Sequence, residues 1–378
     1  MSLPRDAVAA VTHPDPYPYY AELVARRPLY RDDALGMWVA SSARAVTAVL
    51  TAPACRVRPS SEPVPRALLG SPAGDVFRHL VRMNDGEAHC PMKQAVSAFL
   101  DSLDERRVLD EARRRARLLS GPRRLRECSF RLPVDVVGGL LGLPDDVLPR
   151  VASWTEDFVR GIAPGGTAER AASAAERLLT VFRTALDSRR EGPLTRLAGQ
   201  VERFGPMALD AVLANAVGFL SQTYDATAGL LGNALVALSS RPSLSLSLDG
   251  ELLPAFLDEV LRYDAPVQNT RRFLADDAVI EGNVLRAGDA VLVVLAAANR
   301  DSAANADPER FDLHRKDRRV FTFGAGVHAC PGQRLAKVIA AGALEVLLAA
   351  GLEGVLPRSF TYLPSMNGRI PLFCEVHT

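Results

Sequence analysis

The stretch Phe323-Gly324-Ala325-Gly326-Val327-His328-Ala329-Cys330-Pro331-Gly332 puts a cysteine where it could bind a metal. Gly324 and Gly326 permit a tight approach loop, and Pro331 suits the first turn of a helix. Cys330 thus stands at a predicted helix N-terminus, where free N–H groups and the helix dipole favour a thiolate. A thiolate held by its own backbone is a good axial ligand for haem iron, and pushes electron density that favours O–O cleavage. Rival chemistries fit less well. A dinucleotide fingerprint needs a third glycine where Ala329 stands. A zinc site built on His328 and Cys330 lacks two further partners. A structural cysteine remains the alternative, although it would need no glycine–histidine approach.

With its neighbours, this loop resembles the haem loop of the cytochrome P450 family, specifically its soluble bacterial members. Glu259-Val260-Leu261-Arg262 is similar to the family's helix K motif, and Asn299-Arg300-Asp301 with Pro308-Glu309-Arg310-Phe311 to the meander that follows. The likeness runs from Asp15-Pro16-Tyr17 to the C-terminus. It implies a mainly α fold with small β-sheets, haem b (iron protoporphyrin IX) lying between a long central helix and the cysteine loop, and Cys330 as iron ligand. Phe323, Gly324 and Gly332 would pack around the haem. The family's buried glutamate and two arginines map to Glu259, Arg262 and Arg310. The first two share a helix face, and a carboxylate between guanidinium forks can be fully hydrogen-bonded; a solvated surface pair is the alternative. Haem propionates would meet His89, Lys93, Arg272 and His328. Lys93 stands where the family usually has arginine, so bidentate geometry is lost there.

The family's central helix carries an acid followed by a threonine that steadies iron-bound oxygen. Alignment on Leu230-Leu231-Gly232-Asn233-Ala234 puts Gln222, Thr223, Tyr224, Asp225 and Ala226 on that motif. The acid is present as Asp225, to relay protons or to make a buried structural hydrogen bond. The alcohol is not: Ala226 replaces it, and Thr227 comes one residue late, turned by about 100° around the helix. Thr223 shares the face of Ala226, so Thr223, Gln222 or a polar group of the substrate is expected to organise oxygen-bound water. The lost alcohol also admits oxidative coupling, cyclisation or desaturation without oxygen insertion.

These residues need elements to hold them. Residues 206–239 form the longest predicted helix, almost uncharged and therefore buried. Helices are expected at 20–27, 41–50, 89–102, 105–120, 147–161, 168–190 and 252–263, and a last one from about Pro331 to a stop at Gly351. Residues 55–85, rich in Pro, Gly and Arg, read as an irregular binding loop. From Val267 to Val294, short β-branched runs separated by turns at Asp276-Asp277, Gly282-Asn283 and Gly288-Asp289 read as strands. The substrate pocket is expected to use Val267, Gln268, Asn269 and Thr270, with the helices flanking Pro164-Gly165-Gly166 as a lid.

Composition sets the limits. The 378 residues carry 45 basic and 44 acidic side chains, a balance that excludes nucleic-acid binding by phosphate neutralisation. Five scattered cysteines (Cys55, Cys90, Cys128, Cys330, Cys374) make no disulfide framework. The charged opening lacks the apolar stretch of a signal peptide, and no uncharged apolar run reaches the ~18 residues of a membrane span. We expect a single haem domain over 1–378, cytoplasmic and monomeric. Its electrons would come from a separate ferredoxin and ferredoxin reductase, docking at Arg315, Lys316, Arg318 and Arg319. The substrate would be a small or medium-sized organic molecule, free or carrier-protein-bound, in antibiotic-type secondary metabolism. A non-catalytic haem sensor is the rival class, but no output module is visible.

Overall fold

A helix from Ala208 to Ser239, 32 residues long, runs through the interior. At 1.5 Å per residue it spans about 48 Å. It is apolar on every side, and most of its side chains are buried, so other elements must surround it. Helices Leu125–Leu140, Pro72–His79 and Pro193–Glu202 pack against it. Gly229 and Gly232 admit two closer neighbours: a side chain at either would strike Pro266 or Pro371 at 2.9 Å. The computed structural model describes residues 3–86, 89–119, 125–188, 192–202, 208–248, 250–350 and 359–373. The predicted helix stop at Gly351, the start of the central helix at 206–207, and Cys374 lie outside them.

The sheets are small and sit to one side. Five strands lie in the order Leu29–Asp32, Met37–Ala40, Ala290–Val293, Thr270–Leu274, Cys55–Arg56. Only the Met37–Ala40 and Ala290–Val293 pair is parallel. Val291 and Val293 bury one face of this sheet against the helix Ala43–Thr51, and Leu292 buries the other against the N-terminal tyrosines. The hairpin Ala278–Ile280 with Asn283–Leu285 turns at Gly282, whose φ of +78° suits glycine.

Two expectations about elements need correction. Residues 55–85 are not irregular throughout: Pro72–His79 is helical, capped by Ser71, whose hydroxyl accepts from Gly74 N–H at 3.2 Å. Its two turns are too short to show a period in sequence. The last helix begins at Gln333 with Gly332 as its cap, so Pro331 lies in the turn before it. Among the described residues, no helix is long and apolar enough to cross a membrane.

Candidate active site

The loop before the last helix folds as its glycines predict. Gly324 and Gly326 take φ of +70° and +68°. A side chain on Gly326 would also press on Leu50 O at 3.1 Å. The Cys330 N–H donates to Phe323 O at 2.9 Å, which closes the loop. Cys330 is exposed, although the protein around it still desolvates the sulfur. Burial pushes the thiol up, opposed by the Gly332 N–H and by the charges of Lys93 and Arg82. The helix terminus alone therefore does not make a thiolate; a bound metal ion would complete the ionisation.

Polar side chains gather beside this loop. The rings of His89 and His328 lie 4.4 Å apart. His328 Nε2 and Asp85 Oδ1 are 2.9 Å apart, and the other Asp85 oxygen accepts from Val57 N–H at 3.1 Å. Burial would raise the Asp85 carboxyl, but these bonds hold it below its usual range. Burial, with His328 and Lys93 adding to it, pushes the His89 imidazole down to about 4, so it is a neutral donor. Lys93 Nζ donates to Ala329 O at 2.5 Å. Arg272, buried in its strand, donates to Arg271 O and Thr270 Oγ1. No carboxylate lies in contact with Lys93 or Arg272 among the described residues. A half-buried lysine and a buried arginine without carboxylate partners, two imidazoles and a cysteine near one loop fit a flat dianionic group with a metal at its centre.

Glu259 and Arg262, both fully buried, pair in bidentate fashion at 2.7 and 3.0 Å. The third member differs from expectation. Arg318 Nε donates to Glu259 Oε2 at 2.9 Å, and Arg315 approaches Oε1 at 3.8 Å. Arg310 is 70% exposed beside Asp312, and contributes only its carbonyl, to Arg262 Nη2. The guanidinium that reaches Glu259 instead comes from Arg318, whose Nη2 is also held by the carbonyls of Asp312 and Leu313. Since Arg315 and Arg318 are folded inward, the expected docking patch shrinks to Lys316 and Arg319, both exposed.

On the central helix, Asp225 receives two bonds from Arg160 of the helix Leu148–Ile162, at 2.8 and 3.1 Å. Burial raises the Asp225 carboxyl, Arg160 opposes the rise and Glu156 adds to it. Thr223 Oγ1 lies 2.9 Å from Thr227 Oγ1. Thr227 is buried and Thr223 half-buried, so the late threonine is tied to the earlier one, four residues and one turn away. Gln222 donates to Gly218 O of its own helix, and Ala226 is half-buried.

The four residues expected in the substrate pocket differ in their surroundings. Gln268 is fully buried among the N-terminal tyrosines, accepting from Tyr20 Oη and donating to Ala265 O. Asn269 donates to Met366 O. Both amides serve internal bonds; Val267 and Thr270 are half-exposed. Arg160, Asp85 and Arg318 were missed in sequence because their partners lie 65, 243 and 59 residues away. Asp85, four before His89, and Arg318, which was read as part of a docking patch, both stood near recognised motifs.

A family model described as Cytochrome P450 matches residues 232–350. Over 88% of the chain and 81% of the other protein, the sequence is 31% identical to the 20-oxo-5-O-mycaminosyltylactone 23-monooxygenase of Streptomyces fradiae. The chain belongs to the cytochrome P450 family. It is 34% identical to the cytochrome P450 monooxygenase PikC of Streptomyces venezuelae, over 58% of the chain and 54% of that protein. It spans 58% of the length of two Xylella fastidiosa relatives. The crystal structure of CalO2 superposes with a TM-score of 0.83 at 26% identity, covering 96% of each chain. Haem b is the cofactor of the cytochrome P450 family, and the donor set around Cys330 suits it.

Proposed function

We propose that the chain is a haem-thiolate monooxygenase that hydroxylates a small or medium-sized organic substrate in antibiotic-type secondary metabolism. One observation carries this reading: Lys93, His89 and His328 gather at the Cys330 loop, a donor set that would suit a dianionic haem bound through the sulfur. Bound there, haem would activate dioxygen, placing one oxygen atom in a substrate C–H bond and the other in water, at the expense of two electrons and two protons. Cys330 would ligate the iron, and His89, Lys93, Arg272 and His328 would hold the propionates. Phe323, Gly324 and Gly332 shape the loop beneath. Electrons would come from ferredoxin and ferredoxin reductase, with Lys316 and Arg319 offering charge to an acidic partner.

Asp225 is placed to pass protons inward, since Arg160 fixes its carboxylate and burial raises its affinity for a proton. Asp225→Asn is expected to lower turnover about 10²-fold with the haem spectrum unchanged. Unaltered turnover would remove Asp225 from the relay. The Thr223–Thr227 hydroxyl pair stands in for the alcohol that Ala226 lacks, holding water one turn from the vacated position. Thr223→Val should divert reductant from product to peroxide and water, and Thr223→Ser should restore coupling. Product formed per reductant consumed checks both, and full coupling in the valine variant would exclude the pair.

Ala226 also favours a second reading, oxidative coupling or cyclisation in which the substrate loses hydrogen and gains no oxygen. Turnover under isotopically labelled dioxygen separates the two. Label in the product means hydroxylation; dehydrogenated product without label means coupling.

A further inference from the structure

The last turns of the central helix line a groove of about 490 Å3 together with the N-terminal segment, the end of the helix Leu253–Tyr263 and the strand Phe360–Tyr362. Its volume is in the range that takes a small organic ligand. None of its lining residues belongs to the cysteine loop or to residues 222–227. Ala237, in its wall, stands eleven residues past Ala226, about 16 Å further along the helix axis. The groove is therefore a place apart from the haem cleft.

Its walls are aromatic. The rings of Tyr17, Tyr263 and Phe311 follow one another, with centroids 6.3 and 5.2 Å apart. Phe360 and Tyr362 pack edge to face at 5.4 Å. Three guanidinium groups lie over these rings: Arg300 at 3.6 Å from the centroid of Tyr263, Arg369 at 3.7 Å from that of Tyr362, and Arg241 at 4.4 Å from that of Phe311. Two of them are neutralised. Arg300 pairs with Glu309 at 2.5 Å and Arg369 with Asp264 at 2.7 Å. Arg241, half-buried, has only the long contact to Ala237 O at 3.5 Å, and no carboxylate partner among the described residues.

These features select a ligand. One unneutralised cation calls for one negative charge, and its fork suits a carboxylate. A phosphate dianion would need more than one such cation. Aromatic walls call for a flat ring that can lie against them. The groove's remaining acid, Asp15, accepts from Tyr17 N–H at 3.3 Å and is exposed, so water and salt screen it. Asn233 also lines the groove; its amide nitrogen is spent on Asp264 O and Arg369 O, and its buried Oδ1 has no partner. A buried acceptor of that kind at a cavity wall is one that a bound molecule or water would satisfy.

We propose that this groove is a second ligand site, for a planar aromatic carboxylic acid, in which Arg241 binds the carboxylate and the tyrosine and phenylalanine rings hold the aromatic body. The site goes beyond the reaction proposed for the haem cleft and does not depend on it.

The test uses purified holoenzyme saturated with 4-phenylimidazole, an iron ligand that keeps the haem cleft filled. The probes are 2-naphthoate and its neutral counterpart 2-naphthylmethanol, titrated by calorimetry. One equivalent of naphthoate should bind, at least about tenfold more tightly than the alcohol. That ratio should fall to about one in Arg241→Leu and recover in part in Arg241→Lys, which keeps charge without the fork. Ala21→Trp, at an exposed position of the groove wall, should exclude both probes while leaving Arg241 in place. Circular dichroism and haem content report whether each variant is folded, and if Arg241→Leu is not, Ala21→Trp decides alone. A ratio near one in the wild type, a preference that survives in Arg241→Leu, or undiminished binding to Ala21→Trp overturns the proposal. So does naphthoate binding that vanishes once 4-phenylimidazole is present, since the probe would then belong to the haem cleft.

Discussion

Cys330→Ala is expected to abolish the red-shifted Soret band of the reduced carbon-monoxide complex and to reduce turnover to background. The fold should survive. Cys330 contributes no packing to a hydrophobic cluster, and the backbone bond from its N–H to Phe323 O does not need the sulfur. Burial raises the free thiol, so a thiolate ligand would depend on the metal bound to it. Serine offers oxygen in place of sulfur and pushes less electron density to iron, so Cys330→Ser should take up haem without the red-shifted band. Far-UV circular dichroism, haem content and the carbon-monoxide difference spectrum check these outcomes together. A red-shifted band in the alanine variant would place the ligand elsewhere.

The cysteine loop was legible because its chemistry is contiguous. Two glycines, a histidine, the cysteine and a proline specify one turn, and each acts on its own neighbours. Glu259 and Arg262 were legible for a similar reason, since a separation of three puts them on one helix face. The central helix could be read because it has no polar side to hide. What failed to show lies at long range or in short elements. Arg160 meets Asp225 only after two helices pack, and nothing local distinguishes Arg318 from Arg310. Gln268 looked like a pocket residue because it follows a proline beside a strand, whereas the tyrosine cluster captures its amide. The helix Leu125–Leu140 contains Pro133 and ends near Gly138-Gly139, residues that locally argue against helix. Tertiary burial overrides them, since nearly all of its second half is buried.

Arg262→Ala is expected to cost about 3–5 kcal/mol, because it leaves Glu259 buried with two of its four hydrogen bonds gone. The loss extends beyond one carboxylate. Arg262 also donates to Pro308 O at 2.9 Å and to Arg310 O at 2.9 Å, so the segment leading to the cysteine loop would lose its attachment to the helix Leu253–Tyr263. Haem retention should fall together with thermal stability, although neither residue touches the cleft. Arg310→Ala, by contrast, should change both by very little, since its guanidinium is exposed; a large loss there would restore it to the network. The pH dependence follows from the same geometry. Burial would raise Glu259, but the bonds from Arg262, Asp312 N–H and Arg318 hold it below the ordinary 4.5. A carboxyl whose folded value is depressed stabilises the fold above its unfolded value, and that stability drains as pH falls through the folded value. Wild-type protein should therefore lose stability steeply below about pH 4. Glu259→Gln, already weaker at neutral pH, should lose less over the same window. Denaturant midpoints for the two proteins from neutral pH down to that range decide it, and parallel curves for wild type and Glu259→Gln would mean that the carboxylate contributes nothing to the acid response.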